Sequence, residues 1–275
     1  MQKSEKTSIY DLSIVVLSFD GYMDVWPYFF EAYKKFWADC YYPIYLVNNE
    51  AKVEFENVTV INTGKEIDWC DRARNAIKMI DTKYIVLLLD DYLIGEKVGN
   101  ADIDQTMEFM VNNNVEYLRL INIPRYRGKE VYSNGFYNIY KNEEYGINLQ
   151  ASIWEKDFLL QGLNNSSGSA WEFEINYLRQ AIASKCEPFS KCYVNTHNIL
   201  DIHNGILKGK WFPNTIRYFQ KIGINIDHNE RGKLSFREVS SYSIRVFLKE
   251  RIPYWLRKII KRFLKRLGVK FISEY

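Results

Sequence analysis

Apolar residues in this chain fall into short unbroken runs separated by stretches of helical period. Leu12–Ser18 is a continuous, largely β-branched run, the pattern of a strand buried on both faces. Phe19-Asp20-Gly21 turns the chain, and large apolar residues recur at helical spacing over Trp26–Trp37. Pro43–Val47 is a second short strand that ends at Asn48-Asn49, and Val58–Asn62 is a third, followed by Thr63-Gly64. Asp68–Ile80 predicts a helix and Tyr84–Leu89 another fully buried strand. This alternation over about the first 95 residues predicts an α/β protein with an open, mostly parallel sheet of the Rossmann type. Further on, the pattern predicts helices over Asp104–Asn112 and Trp171–Ser184, the second led in by Ser166–Ser169. Tyr117–Ile121 and Ile147–Trp154 read as strands, Arg125–Tyr140 as a loop or hairpin, and 193–238 as a mixture of short strands and loops.

The C-terminus follows a different rule. From Tyr254 to Leu267, pairs of apolar and basic residues alternate. At helical pitch Trp255, Leu256, Ile259, Ile260, Phe263, Leu264 and Leu267 fill one side, and the intervening Lys and Arg residues fill most of the other. Pro253 suits the start of such a helix. Residues 243–275 carry ten Lys/Arg and two Glu, or +8, which leaves the other 242 residues at −5 within a whole-chain charge of +3. A mildly acidic body with a basic amphipathic tail does not fit a nucleic-acid binder and points to an anionic membrane surface. Packing on the body, or binding a partner or RNA, are the other uses of such a helix. The expected division is 1–242 for the body and 243–275 for the tail.

Composition changes the picture little. With 47% apolar residues among 275, the chain can bury a sizeable core. Its 21 tyrosines suit stacking on flat ligands and equally suit half-buried packing positions. Met1–Asp11 has no signal-peptide core, and no uncharged apolar window is long enough to span a bilayer. Cys40, Cys70, Cys186 and Cys192 lack zinc-type spacing and read as reduced thiols, so a cytoplasmic protein peripheral on the inner face of the cell membrane is expected.

Open α/β sheets bind ligands beyond the carboxyl ends of their strands. Those ends carry Ser18, Asp20, Asn48, Asn49, Asp90 and Asp91. Asp90 and Asp91 directly follow five apolar residues, where an unpaired charge is costly. Such a pair can hold Mg²⁺ or Mn²⁺ against a nucleotide diphosphate; alternatively, one caps the next turn and the other is solvated.

Leu87-Leu-Leu-Asp90-Asp91-Tyr92 resembles the DxD-type motif of GT-A glycosyltransferases, and Ser13-Ile-Val-Val-Leu-Ser18-Phe-Asp20 resembles their first strand and nucleotide loop. The stretch from Ser13 to Tyr92 is similar to bacterial capsule and O-antigen transferases, with Asp-Asp-Tyr in place of a strict DxD. Arg74-Asn75 resembles the ARN helix of that family, which implies donor contacts for Asp71 and Arg74, with Trp69 available for stacking. A surface helix with charge pairs explains the same residues.

Gln161-Gly162-Leu163 through Trp171-Glu172-Phe-Glu174 to Arg179 resembles the "ED" segment of inverting members, with Trp171 replacing the first acid. The resemblance makes Glu172 the general base, with Glu174 the next acid, and Trp171 is expected to raise the pKa of Glu172 by desolvation. A helix N-terminus also favours both acids. His203-Asn-Gly205-Ile-Leu-Lys208-Gly-Lys210-Trp211 resembles the HxxGxxKPW element of retaining members, one residue short. That implies His203 on the metal with Asp91, and Lys208 or Lys210 on the diphosphate. The two resemblances point to opposite stereochemistry, so both outcomes stay open.

Together these imply a GT-A-like glycosyltransferase of the hexosyltransferase type. It would move a sugar from a nucleotide-sugar donor to a lipid-linked oligosaccharide acceptor in surface polysaccharide synthesis. A nucleotidyltransferase also uses paired acids, but Ser18–Gly21 supplies one glycine where its phosphate loop needs several. A membrane-bound scaffold that has lost activity is the non-enzymatic alternative.

Overall fold

The computed structural model describes residues 10–65, 67–123, 125, 126, 131, 132, 135–140, 146–183 and 188–251, together with Ile259, Ile260, Arg262 and Arg266. The first half alternates as its pattern predicts: β1 (Leu12–Leu17), α1 (Trp26–Phe36), β2 (Ile44–Asn48), β3 (Val58–Asn62), α2 (Trp69–Lys78) and β4 (Tyr84–Leu89). There follow β5 (Tyr92–Ile94), α3 (Asn100–Asn112), β6 (Tyr117–Arg119), β7 (Val131–Tyr132), β8 (Phe136–Tyr140) and β9 (Ser152–Glu155). The chain continues through α4 (Lys156–Asn164), α5 (Ala170–Ala183), β10 (Pro188–Asn195), β11 (Ile202–Asn204), β12 (Ile206–Leu207), β13 (Lys210–Trp211), α6 (Pro213–Lys221) and α7 (Phe236–Arg251).

Nine strands form the main sheet in the order β3-β2-β1-β4-β9-β6-β10-β8-β7. The pairs from β3 to β4 are parallel, and β9 is antiparallel to both its neighbours. Only β9 and β8 oppose the common direction, so the sheet is mostly parallel as expected. Every β1 side chain is buried because both faces are covered. Ile14 and Val16 meet Trp26, Phe29 and Met107 of α1 and α3, while Val15 and Leu17 meet Cys70, Ala73 and Ile77 of α2. Period-2 alternation of a strand that is apolar but for Ser13 thus feeds two cores at once.

A third cluster joins Val25 and Ala32 to Leu93, Ile206, Trp211 and Phe219. It holds the β11–β13 segment and α6 against α1, and β11 pairs antiparallel with β5. Several elements differ from the sequence pattern, among them these three. Ile147–Gln150 precede a shorter strand, β9; α4 follows it directly; and α6 lies within the stretch read as strands and loops. Helix α7 runs through position 242, so residues on both sides of the expected division share one helix. Most of the Tyr254–Leu267 segment lies outside the described residues.

Candidate functional site

Strand order makes the site. From β1 the chain steps outward to β2 and β3, then returns to place β4 on the other side of β1. This reversal opens a crevice beyond the carboxyl ends of β1 and β4. The register aligns Leu17 with Val47 and with Leu89, so the residues that follow, Ser18, Asn48 and Asp90, emerge at one edge.

At the bottom of the crevice Ser18 Oγ donates to Asp90 Oδ2, and Trp26 Nε1 donates to Ser18 Oγ at 2.6 Å. Burial, and then repulsion from Asp91, push the Asp90 carboxyl up to about 7 in spite of the Ser18 bond. Burial also pushes Asp91 up to about 6. Asp91 roots the C-terminal segment: its carbonyl accepts the Gly205 N–H at 2.7 Å and its carboxylate accepts that of Ile206. A Cβ on Gly205 would meet Leu93 at 2.8 Å and Trp211 at 3.1 Å, so this approach depends on glycine.

Asp20 and Asn48 stand at the same edge, and their polar atoms are spent on shaping it. The Asp20 carboxylate accepts the N–H groups of Asn49, Glu50 and Ala51, at 3.0 Å to Asn49. Buried Asn48 donates to Ala51 O at 2.8 Å and accepts from Asn62 at 2.6 Å. A cleft of about 430 Å³ lies beside them, lined by Asp20, Asp24, Tyr28, Asp227 and Glu230.

Several expected residues have other work. The Arg74 fork does not reach for phosphate: Nη1 pairs with Asp71, while Nη2 bonds the carbonyls of Leu163 at 2.5 Å and Ser166 at 3.0 Å. It caps the C-terminus of α4, where carbonyls lack partners. Trp69 stacks obliquely on Phe173.

Glu172 is exposed, and its pKa moves opposite to the expectation. The Ser169 N–H and hydroxyl donate to its Oε2 at 2.6 and 2.8 Å and hold the carboxyl below its ordinary value. Glu172 N returns a bond to Ser169 Oγ, which completes a capping box at the head of α5. Glu174 is half-buried and accepts the Leu149 N–H at 2.8 Å. Its charge acts on Tyr92, the residue after Asp91: burial raises the Tyr92 phenol most, and the charges of Asp91 and then Glu174 add to it.

His203 lies opposite Leu93 on the strand beside Asp91, but its Nε2 faces Asp201 Oδ2 at 3.0 Å and its ring stacks on Tyr218. Among the described residues no group of three or more His, Cys, Asp or Glu gathers to hold a metal. Lys208 and Gly209 form the two-residue turn between β12 and β13, both at positive φ, as a type I′ hairpin requires. Lys208 is exposed, and Lys210 pairs with Glu238 of α7 at 3.2 Å.

Two site residues escaped the sequence reading. Phe19 is 41% exposed at the end of β1. Beneath it lies Arg72, buried, with Nη1 on Ser18 O at 2.9 Å, Nη2 on Ile67 O, and its guanidinium 5.6 Å from the Phe19 ring. Burial lowers its pKa, opposed by Asp20, Asp68 and Asp90. The signal was present: Arg72 is a charge on the apolar stripe Cys70, Ala73, Ala76, Ile77.

This arrangement of strands and crevice decides the fold. It is α/β, an open and mostly parallel sheet of the Rossmann type. No protein-family model and no curated protein matches the chain. Solved structures similar to the chain include S. aureus TarS 1–349 in complex with UDP, at TM-score 0.46 and 10% identity over 69% of this chain and 59% of that one. The galactosyltransferase LgtC, in complex with donor and acceptor sugar analogs, aligns at TM-score 0.37 and 8% identity over 81% and 84%. A cytidylyltransferase from Leptospira borgpetersenii aligns at TM-score 0.43 and 12% identity over 71% and 82%. The chain thus spans less than two thirds of the TarS structure.

Proposed function

We propose that this protein is a glycosyltransferase that moves a hexosyl group from a nucleotide-sugar donor to a lipid-linked saccharide in the synthesis of a bacterial surface polysaccharide, of the capsule or O-antigen kind. The observation that carries the reading is the pair of carboxylates, buried Asp90 and half-buried Asp91, raised to about 7 and about 6 at the switch point of a GT-A-like sheet. Two acids held that high lack a compensating cation, and a divalent ion between them and a diphosphate supplies one.

In this reading Asp91, backed by Asp90, would hold Mn²⁺ or Mg²⁺, which when bound supplies Lewis-acid neutralisation of the leaving diphosphate. Ser18 and Trp26 fix the Asp90 carboxylate. Phe19, cushioned by Arg72, offers an open aromatic face to the nucleobase, and Arg72 adds positive charge beneath it. Lys208, on the hairpin rooted at Asp91, can swing to phosphate; Lys210 can do so once it leaves Glu238. For the acceptor hydroxyl, Glu174 is the better placed of the two α5 acids because its charge acts on Tyr92, the residue next to Asp91, whereas Glu172 is engaged in the helix cap. The basic tail keeps the enzyme on the inner face of the membrane, where the acceptor resides.

The test is a thermal-shift and hydrolysis screen of UDP-, GDP-, CMP- and dTDP-sugars with and without Mn²⁺. Stabilisation by one donor that requires Mn²⁺ and is lost in Asp91→Ala is the expected result. No response to any donor overturns the proposal.

A further inference from the structure

We propose that α7 is itself part of a membrane-docking surface, which joins the basic segment after it and holds the catalytic crevice against an anionic bilayer. The inference rests on the membrane reading above and extends it to a face of the described fold. Twelve large apolar side chains are exposed among the described residues, and six of them lie between Phe236 and Ile260. Scattered single exposures are ordinary, whereas a concentration on one stretch marks a contact surface. Every described side chain from Phe236 to Val246 is exposed or half-buried.

The helix has a side toward the body and a side away from it. Glu238 and Tyr242, one turn apart, touch the body: Glu238 through Lys210 at 3.2 Å, and Tyr242 through the Phe212 ring at 5.9 Å. Phe236 and Ile244 are two turns apart and fall within about 80° of each other at 3.6 residues per turn, on the opposite side. They are 84% and 58% exposed. Charge identifies the occupant. Residues 243–275 carry +8, and the described part beyond α7 presents Ile259, Ile260, Arg262 and Arg266, all exposed on helical backbone. Apolar side chains beside a dense basic charge match the acyl boundary and anionic headgroups of a bilayer.

The contacts with Lys210 and Phe212 give this surface a place relative to the chemistry. They tie α7 to the hairpin that is rooted at Asp91. A docked α7 therefore brings the crevice to the height of headgroups, where the saccharide of a lipid-linked acceptor lies.

The test is co-sedimentation of the full-length protein with vesicles of phosphatidylglycerol mixed into phosphatidylcholine, and with pure phosphatidylcholine. Wild type is expected on the anionic vesicles, and the double variant Phe236→Glu/Ile244→Glu is expected to partition at least about tenfold less. Its thermal melting should match wild type because both side chains are exposed. Arg262→Glu/Arg266→Glu should also lose binding. Retained binding in the α7 variant, with loss in the arginine variant, would overturn the role of α7 and leave the tail as the anchor. A wild type that ignores anionic vesicles overturns both readings. A wild-type dimer that Phe236→Glu/Ile244→Glu dissociates, without a change in vesicle binding, would make the face a protein contact instead. Donor binding, measured separately, keeps each of these outcomes apart from failure of the transferase reading.

Discussion

Ser18, the first residue beyond β1, gives its hydroxyl proton to Asp90, the first beyond β4, across 72 positions of sequence. The bond is possible because β1 and β4 are parallel neighbours in register from Leu12/Tyr84 to Leu17/Leu89. Trp26 Nε1 closes the arrangement from the start of α1. Ser18→Ala leaves the Trp26 N–H and an Asp90 oxygen buried without this partner. An unmet buried donor or acceptor costs about 1–3 kcal/mol. Urea unfolding should show a loss of that size, and an unchanged midpoint would mean that water takes over both bonds.

Asp90 also dictates a pH dependence. Its folded pKa, about 7, lies above its ordinary value of 3.8, so between these limits the folded state binds the extra proton. The stabilisation is complete below about pH 4 and is lost as pH rises through 7; Asp91, raised to about 6, acts in the same direction. Each pKa unit is worth about 1.4 kcal/mol, so the rises at Asp90 and Asp91 together correspond to at most roughly 7 kcal/mol. Glu172 and Asp68 are held low and act oppositely, which makes the difference between wild type and Asp90→Asn the quantity to measure. Asp90→Asn should be the more stable protein at pH 8, with the advantage shrinking toward pH 4. A variant less stable at pH 8 would show that the native state compensates this charge.

The first ninety residues declared their architecture because β1 and β4 are apolar at every position but Ser13, the pattern of strands covered on both faces. The same logic placed Asp90 and Asp91 at the sheet edge. What the pattern could not separate was a polar residue facing the crevice from one tying down the scaffold. Arg74 and Arg72 are two positions apart on α2, and the turn of the helix sends the first to the carbonyls of Leu163 and Ser166 and the second under Phe19. The exact places of the short strands were illegible for another reason: β5 and β11 pair with each other at long sequence separation, Ile202 against Ile94, and the local β12–β13 hairpin is held by the shared cluster around Trp211.

Glu172 and Glu174 offer a clean separation of scaffold from chemistry. Glu172→Ala removes half of a capping box and should cost about 0.5–2 kcal/mol of stability while turnover changes little. Glu174→Gln keeps the shape and an acceptor for the Leu149 N–H but cannot take a proton. Loss of a general base costs about 10²–10⁴ in rate, so kcat should fall by that factor with donor affinity retained. The reverse pattern, with a collapsed kcat in Glu172→Ala at unchanged stability, would return the catalytic role to Glu172.

His203 provides the sharpest test of how the metal is held. Its Nε2 points to Asp201 at 3.0 Å, its ring lies 4.0 Å from that of Tyr218, and a Cβ on Gly95 would sit 2.5 Å from it. These are the contacts of a packing residue that joins β11 to α6. His203→Ala should therefore lose about 1–3 kcal/mol, from the vacated contacts and the stranded Asp201, and still respond to Mn²⁺ in the presence of donor. Asp91→Ala should lose the Mn²⁺ response instead, because its carboxylate sits at the crevice with its charge held back by burial. Titrating Mn²⁺ against thermal stability in both variants distinguishes the roles. A metal response that vanishes in His203→Ala at normal apo stability would mean the imidazole leaves Asp201 to join the metal, a rotation that Gly95 leaves room for.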